Sequence, residues 1–232
     1  MNAPRTKQGG TALFDTLRTA SKMTDRILVG VSGGKDSAVV LDLCKRFFPH
    51  VTGFFLYLVK GLGFQERILQ YYERRYQVEI IRAPHFMLSE WMRYGGLRQD
   101  DPNVRITSTR ETYDYLRELS GTYWIACGER ISDSIIRRAM IRASGTIDDN
   151  RGRIYPIAYW NKKNVMEYIK RQKLKLGEDS SLFGFSFRSF MPFELKKIHE
   201  HFPDDYRKIE KWFPLVDASR MQGEFFGGEN DE

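Results

Sequence analysis

Cysteine is scarce in this chain: two in 232 residues, Cys44 and Cys127, far apart and without any CxxC pair. That spacing supports neither a disulfide framework nor a cysteine-based metal site, and it fits a reducing compartment. The four histidines, His50, His85, His199 and His201, are scattered. His199 and His201, two apart on an expected helix, point to different faces, so no zinc site is expected. No apolar run approaches the roughly 20 residues that span a bilayer, and the N-terminal MNAPRTKQGGTALF lacks an apolar signal core. The expectation is a cytoplasmic protein with no membrane partner. Two familiar phosphate-loop signatures are also missing. A Walker loop needs four residues between its first glycine and Gly-Lys, then Ser or Thr; here Gly30 leaves three before Gly34-Lys35, and Asp36 follows. No GxGxxG occurs either.

What is present is a hydrophobic content of 41%, enough to fill a sizeable core at this length. Ile27 to Val31 is short, apolar and β-branched-rich, as expected of a buried strand, and Ala38 to Phe48 has apolar residues at helical spacing. Gly10 to Met23 reads as a lead-in helix. Strands are expected at Val51 to Leu58, Val78 to Arg82 and Tyr123 to Cys127, and helices at Gln65 to Tyr76 and Thr109 to Leu119, the latter capped by Ser108 or Thr109. Ala83 to Thr107, with Gly95-Gly96 and Asp100-Asp101-Pro102, reads as a helix followed by a mobile loop. The alternation predicts an α/β fold, a parallel sheet with helices on both faces that binds ligands at the carboxyl ends of its strands. Beyond it, residues 177–190 are Phe-rich and turn-rich, and Pro192 to His201 and Pro203 to Trp212 read as short helices. The chain is therefore divided into a nucleotide-binding domain, 1–176, and a C-terminal helical extension, 177–232, whose phenylalanines are expected to be core.

Between the first strand and its helix stands Ser32-Gly33-Gly34-Lys35-Asp36-Ser37. Two successive glycines let the backbone turn its N–H groups toward a ligand, and the helix end adds unsatisfied donors and the positive end of a dipole. Anionic oxygens are the natural guests. The hexapeptide resembles the SGGxDS signature of the PP-loop ATP pyrophosphatases, a superfamily with a Rossmann-like (adenine nucleotide alpha hydrolase-like) sheet. That resemblance implies ATP as the ligand, with Ser32, Gly33, Gly34 and Ser37 holding its terminal phosphates. Lys35 would neutralise charge there, Asp36 would order the loop or position Mg2+, and adenine would lie near Leu56 and Tyr57.

A second segment, Gly128-Glu129-Arg130-Ile131-Ser132-Asp133-Ser134-Ile135-Ile136-Arg137, follows the fourth strand. Its pattern, with Pro156-Ile157 and Trp160 downstream, is similar to the phosphoadenosine phosphosulfate reductase branch of that superfamily. The branch also holds the small subunit of sulfate adenylyltransferase and the adenylating proteins of DNA phosphorothioation. The resemblance covers roughly Leu28 to Leu174. It implies that Arg130 and Arg137 hold phosphate or an acidic co-substrate, with Gly128, Glu129, Asp133 and Ser134 lining the nucleotide. Arginine's planar fork suits tetrahedral oxyanions; the plain alternative is a helix start carrying a surface charge pair.

Within that branch a reductase needs a nucleophilic cysteine in a C-terminal Glu-Cys-Gly motif, and nothing after Cys127 is a cysteine. The expected activity is therefore adenylylation of an acceptor, with pyrophosphate leaving ATP. Sulfate activation, which would need a GTPase partner subunit, stays open, as do a homo-oligomer and a non-catalytic nucleotide-binding or DNA-binding module. A net charge of +7 admits an acidic partner. Basic residues gather at Arg130, Arg137, Arg138, Arg142, Arg151 and Arg153 and from Lys162 to Lys175, with Tyr155, Tyr159 and Trp160 interleaved, while the final Gly-Glu-Asn-Asp-Glu is acidic. Such a face fits nucleic acid, or an ordinary solvated surface.

Overall fold

A computed structural model describes residues 14–226; Gly10 to Leu13 of the lead-in helix and the acidic final pentapeptide lie outside them. The described chain forms a six-stranded sheet in the order β3-β2-β1-β4-β6-β5. Its strands are β1 (Arg26–Gly30), β2 (His50–Tyr57), β3 (Ile80–Pro84), β4 (Ile125–Ala126), β5 (Ile147–Asp148) and β6 (Arg153–Ile154). Parallel pairing joins β1 to β2 and to β4, and β4 to β6. β5 turns back antiparallel on β6. The sheet is thus mostly parallel and not wholly so: β5 and β6, unforeseen in the sequence, extend the edge beyond β4.

Helices alternate with the strands: α1 (Asp15–Met23), α2 (Lys35–Phe47), α3 (Gly63–Tyr76), α4 (Met87–Tyr94), α5 (Thr109–Ser120), α6 (Ile135–Ser144) and α7 (Lys162–Gln172). α5 starts on a reciprocal cap, in which the Glu111 amide donates to Ser108 Oγ and the Ser108 amide donates to the Glu111 carboxylate. That identifies Ser108, of the two candidates, as the cap. α7 starts on a similar exchange between Asn161 and Asn164.

The chain forms two compact units. The first comprises the described residues of Met1–Phe55, Leu69–Ile81 and Tyr115–Leu176. Its core includes Ile27, Leu28 and Val29 of β1 and Ala38 to Cys44 of α2, all buried. One of those α2 residues is a carboxylate. Asp42 accepts from Tyr76 Oη at 3.0 Å, from Tyr168 Oη at 2.6 Å and from Arg46 Nε at 2.7 Å, so one buried charge joins α2, α3 and α7 and is itself compensated. Burial, together with this carboxylate, pushes both tyrosine hydroxyls above their ordinary range.

The second unit holds Leu56–Ile68, Arg82–Asp114 and the described residues of Gly177–Glu232. α8 (Glu178–Phe183), inside the stretch read as turn-rich, joins α9 (Pro192–His201), α10 (Pro203–Trp212) and α11 (Val216–Phe226). Phe187 and Phe190 sit in its core with Phe64, Leu195, Ile198, Tyr206, Ile209 and Phe213. Three buried acids stitch its backbone. Asp205 accepts from the Gly63 and Phe64 amides at the start of α3, Asp179 from the Ser180 and Phe187 amides, and Glu194 from the Arg188 amide and Ser189 Oγ. No helix of the described residues is long and apolar enough to cross a membrane.

Candidate nucleotide site

β2 and β3 lie to one side of β1 and β4 to the other, so strand order reverses between β1 and β4. In open α/β sheets that reversal opens a crevice at the carboxyl ends of the two strands, where ligands bind. The loops that leave those ends are residues 31–34 and 127–134, the two segments singled out in the sequence.

The first loop is built from its own hydroxyls. Val31 donates to the Phe54 carbonyl at 2.8 Å, which anchors the loop to β2. Gly33 has φ +79, a left-handed conformation that a side chain would strain. Ser37 Oγ donates to the Gly34 carbonyl at 3.0 Å and accepts from the Ser32 amide at 3.2 Å, with Ser32 Oγ 3.1 Å away. Gly34 occupies the N-cap of α2 and supplies no side-chain hydrogen bond. Among the described residues no side chain caps the first-turn amides of this 13-residue helix, which is the arrangement that attracts anions.

The second loop is built around Asp133. Its Oδ1 accepts from Arg130 Nη2 at 2.6 Å, and its Oδ2 accepts from the Arg130 amide at 3.0 Å and from Arg137 Nη1 at 3.2 Å. Ser134 caps α6 by accepting from the Arg137 amide. Ile131 donates to the Ala158 carbonyl, which ties the loop to the segment after β6.

The two loops meet. A Cβ on Gly128 would come within 3.3 Å of Asp36 Cβ and 3.6 Å of the Ser37 nitrogen, so glycine there allows the β4 end to lie against the start of α2. Above it, Arg130 Nε is 3.3 Å from Asp36 Oδ1, and Asp36 Oδ2 accepts from Lys35 Nζ at 2.9 Å. An alternating ion chain therefore runs Lys35, Asp36, Arg130, Asp133, Arg137, from one loop to the other. Arg130 is only 7% exposed at its side chain, against 49% for Arg137. Arg130 Nε, Arg130 Nη1 and Asp36 Oδ1 are buried with no hydrogen-bond partner among the described residues. Buried polar atoms left in this state are rare and gather where a structure has work to do.

The remaining expected residues are placed as follows. Ser32 and Ser134 are exposed, and Gly128 and Glu129 are half-buried. Leu56 and Tyr57 end β2, half-buried, and belong to the second unit. Of the basic cluster, Arg130 is buried and Arg153 donates to Cys127 Sγ at 3.0 Å, while Arg137, Arg138, Arg142 and Arg151 face solvent. Two of the three aromatics read as lying on that basic face are core instead. Tyr155 and Trp160 are buried, Tyr155 with its hydroxyl 3.9 Å from Met140 Sδ of α6 and Trp160 edge-on to Tyr168 of α7, and of the three only Tyr159 is exposed. The hub role of Asp133 was not apparent in the sequence; the Arg-x-x-Asp-x-x-x-Arg spacing of Arg130, Asp133 and Arg137 is the signal that carries it. Burial pushes the Cys127 thiol up to about 12, with Glu129 adding to the rise. Among the described residues no group of three His, Cys, Asp or Glu side chains forms a metal site.

No curated protein matches the chain in sequence. Among solved structures, the phosphoadenylyl-sulfate reductase of Candida auris, in a phosphate complex, is 15% identical over 82% of this chain and 96% of that one, with a TM-score of 0.52. The NH3-dependent NAD synthetase of Campylobacter jejuni is 17% identical over 95% of each chain, with a TM-score of 0.49. The U34-tRNA thiolase of Methanococcus maripaludis, which carries a [4Fe-4S] cluster, is 14% identical over 90% of this chain and 82% of that one, with a TM-score of 0.47. At these identities the reductase likeness speaks to the fold. Residues 26–189, which include every element of the two loops, match the phosphoadenosine phosphosulfate reductase domain, and on that match the chain belongs to this family of the PP-loop ATP pyrophosphatase superfamily.

Proposed function

We propose that the protein is an ATP-dependent adenylylating enzyme, which cleaves the α–β bond of ATP, transfers the adenylyl group to an acceptor and releases pyrophosphate. The observation that carries the reading is the intact Ser32 to Ser37 loop at the strand-order reversal, joined to the Gly128 to Arg137 segment through the Asp36–Arg130 contact. Amides of the loop and of the first turn of α2 hold the leaving phosphates, and Lys35 swings from Asp36 onto them as charge develops. Arg137, half-exposed and tethered by one nitrogen to Asp133, has the reach and the fork to meet an oxyanion. Arg130, held between two carboxylates, positions the loops. A nucleophile of the acceptor attacks the α phosphorus in line, an oxygen–phosphorus bond to pyrophosphate breaks, and catalysis rests on positioning and charge stabilisation.

The donor set fits magnesium as an ion brought by the nucleotide. Asp36 would be its one carboxylate contact, in keeping with an ion that retains waters and phosphate oxygens and has no need of an all-protein cage. When bound, magnesium neutralises charge on the phosphates.

Reduction by a thiol of this chain has little support. Cys44 and Cys127 are both buried, and burial raises both thiols far above the range of a nucleophile. Sulfate activation shares the same bond cleavage and differs only in the acceptor. The discriminating experiment is pyrophosphate release from Mg-ATP with sulfate, nucleosides, tRNA and DNA offered separately. A sulfate-dependent signal would favour sulfate activation, and no release with any acceptor would count against adenylylation.

A further inference from the structure

α6 is an unusual helix. Of its ten residues, only Ile141 is buried. Ile135 and Ile136, in its first turn, are each 81% exposed, more than any other large hydrophobic side chain among the described residues. Arg137, Arg138 and Arg142 are exposed beside them, and no acidic residue occurs between Ile135 and Ser144. Arg142 has no ion-pair partner among the described residues. The carboxylates that flank the helix are engaged elsewhere, Asp133 by Arg130 and Arg137 and Asp148 by Arg151. The helix starts at the same loop that meets Asp36, so whatever lies along it is led to the candidate nucleotide site.

We propose that α6 docks a single-stranded nucleic acid, which carries the acceptor group to that site. The inference rests on the adenylylation reading for the word acceptor, but the docking surface is defined by α6 alone. Charge complementarity selects the occupant. Arg138 and Arg142, without a compensating acid and with Arg137 held at one nitrogen only by Asp133, call for a polyanion, and the isoleucine pair calls for apolar surface within the same ligand. A single strand offers both, phosphates for the guanidinium groups and unstacked base faces for Ile135 and Ile136. A second copy of the chain would set arginine against arginine. An anionic bilayer would gain little, since the exposed apolar side chains beyond the first turn are only Ala139 and Ala143.

The test is fluorescence anisotropy with labelled 20-mer DNA and RNA single strands, with no ATP present, across a salt series. Wild type should bind with a salt-dependent affinity. Arg142→Glu should weaken binding about tenfold and flatten the slope of log affinity against log salt by about 0.7, one single-strand phosphate contact. Ile135→Ser/Ile136→Ser, at positions too exposed to be needed for folding, should weaken binding about fivefold with the slope unchanged. An unchanged melting temperature in each variant excludes misfolding. Equal binding by all three proteins, or tighter binding to phosphatidylserine vesicles than to either oligonucleotide, would overturn the proposal. Failure of the adenylylation reading looks different: oligonucleotide binding that depends on α6, with no pyrophosphate released from ATP.

Discussion

Arg130 Nε stands 3.3 Å from Asp36 Oδ1, and the same guanidinium donates to Asp133 at 2.6 Å. One buried cation thus fastens the end of β4 to the first turn of α2. Removing it takes from Asp36 and Asp133 the buried cation they share and leaves each only a more exposed partner, Lys35 or Arg137, so Arg130→Ala should cost about 3 kcal/mol in urea unfolding. A double-mutant cycle of Asp36→Ala with Arg130→Ala should show a coupling of about 1 kcal/mol or more. Additive effects would mean that the two loops are not linked through this contact.

The buried carboxylate of Asp42 should matter as much to stability. Asp42→Ala strands two tyrosine hydroxyls and takes one of its two partners from Arg46, and a loss of about 3 kcal/mol is expected. Tyr168→Phe removes one of the three partners and should cost about 1 kcal/mol. The order of the two midpoints in denaturant checks this, and a more damaging Tyr168→Phe would contradict it.

In the second unit, burial raises the Asp179 carboxyl from 3.8 to about 6, against the pull of the Phe187 and Ser180 amides. The folded form then binds a proton more tightly than the unfolded form. Stability from this group is fully present below about pH 4 and is lost as pH rises through about 6. Relative to Asp179→Asn, which does not titrate, wild type should lose about 1 kcal/mol between pH 5 and pH 7.5. Denaturant unfolding at the two pH values reads the difference, and a constant gap would mean that the carboxyl titrates normally.

Cys127 supplies a test of the reductive alternative. With the thiol buried beside Arg153 and raised to about 12, native protein should not react with a disulfide reagent over minutes at pH 8. Both cysteines should react once the chain is unfolded. Rapid labelling of Cys127 in the native state would return a thiol to the list of candidate nucleophiles.

How much of this was legible in the sequence varies with the kind of signal. The β1, loop and α2 unit was readable because an apolar strand, two glycines and a helical period follow one another without a gap. α9 and α10 were readable because Pro192 and Pro203 mark their first turns. β5 and β6 were not, since two-residue strands have no periodicity and exist through pairing with their neighbours. Arg130 resembles a surface residue by type, and Tyr155 and Trp160 read as surface through the basic residues interleaved with them. Their burial comes from the folded packing, with partners distant in sequence such as Asp36 for the arginine and Phe14 for the tryptophan. The exposure of Ile135 and Ile136 was hidden for the converse reason, because apolar residues at a helix start ordinarily point inward.

Cleavage between the α and β phosphates is the step on which the functional reading depends. Incubation of the protein with magnesium and ATP labelled at the γ phosphate, together with a competent acceptor, should release the label as pyrophosphate, and Lys35→Ala or Asp36→Ala should reduce the rate at least about a hundredfold. Release of the label as orthophosphate with ADP left behind, or undiminished turnover in both variants, would contradict it.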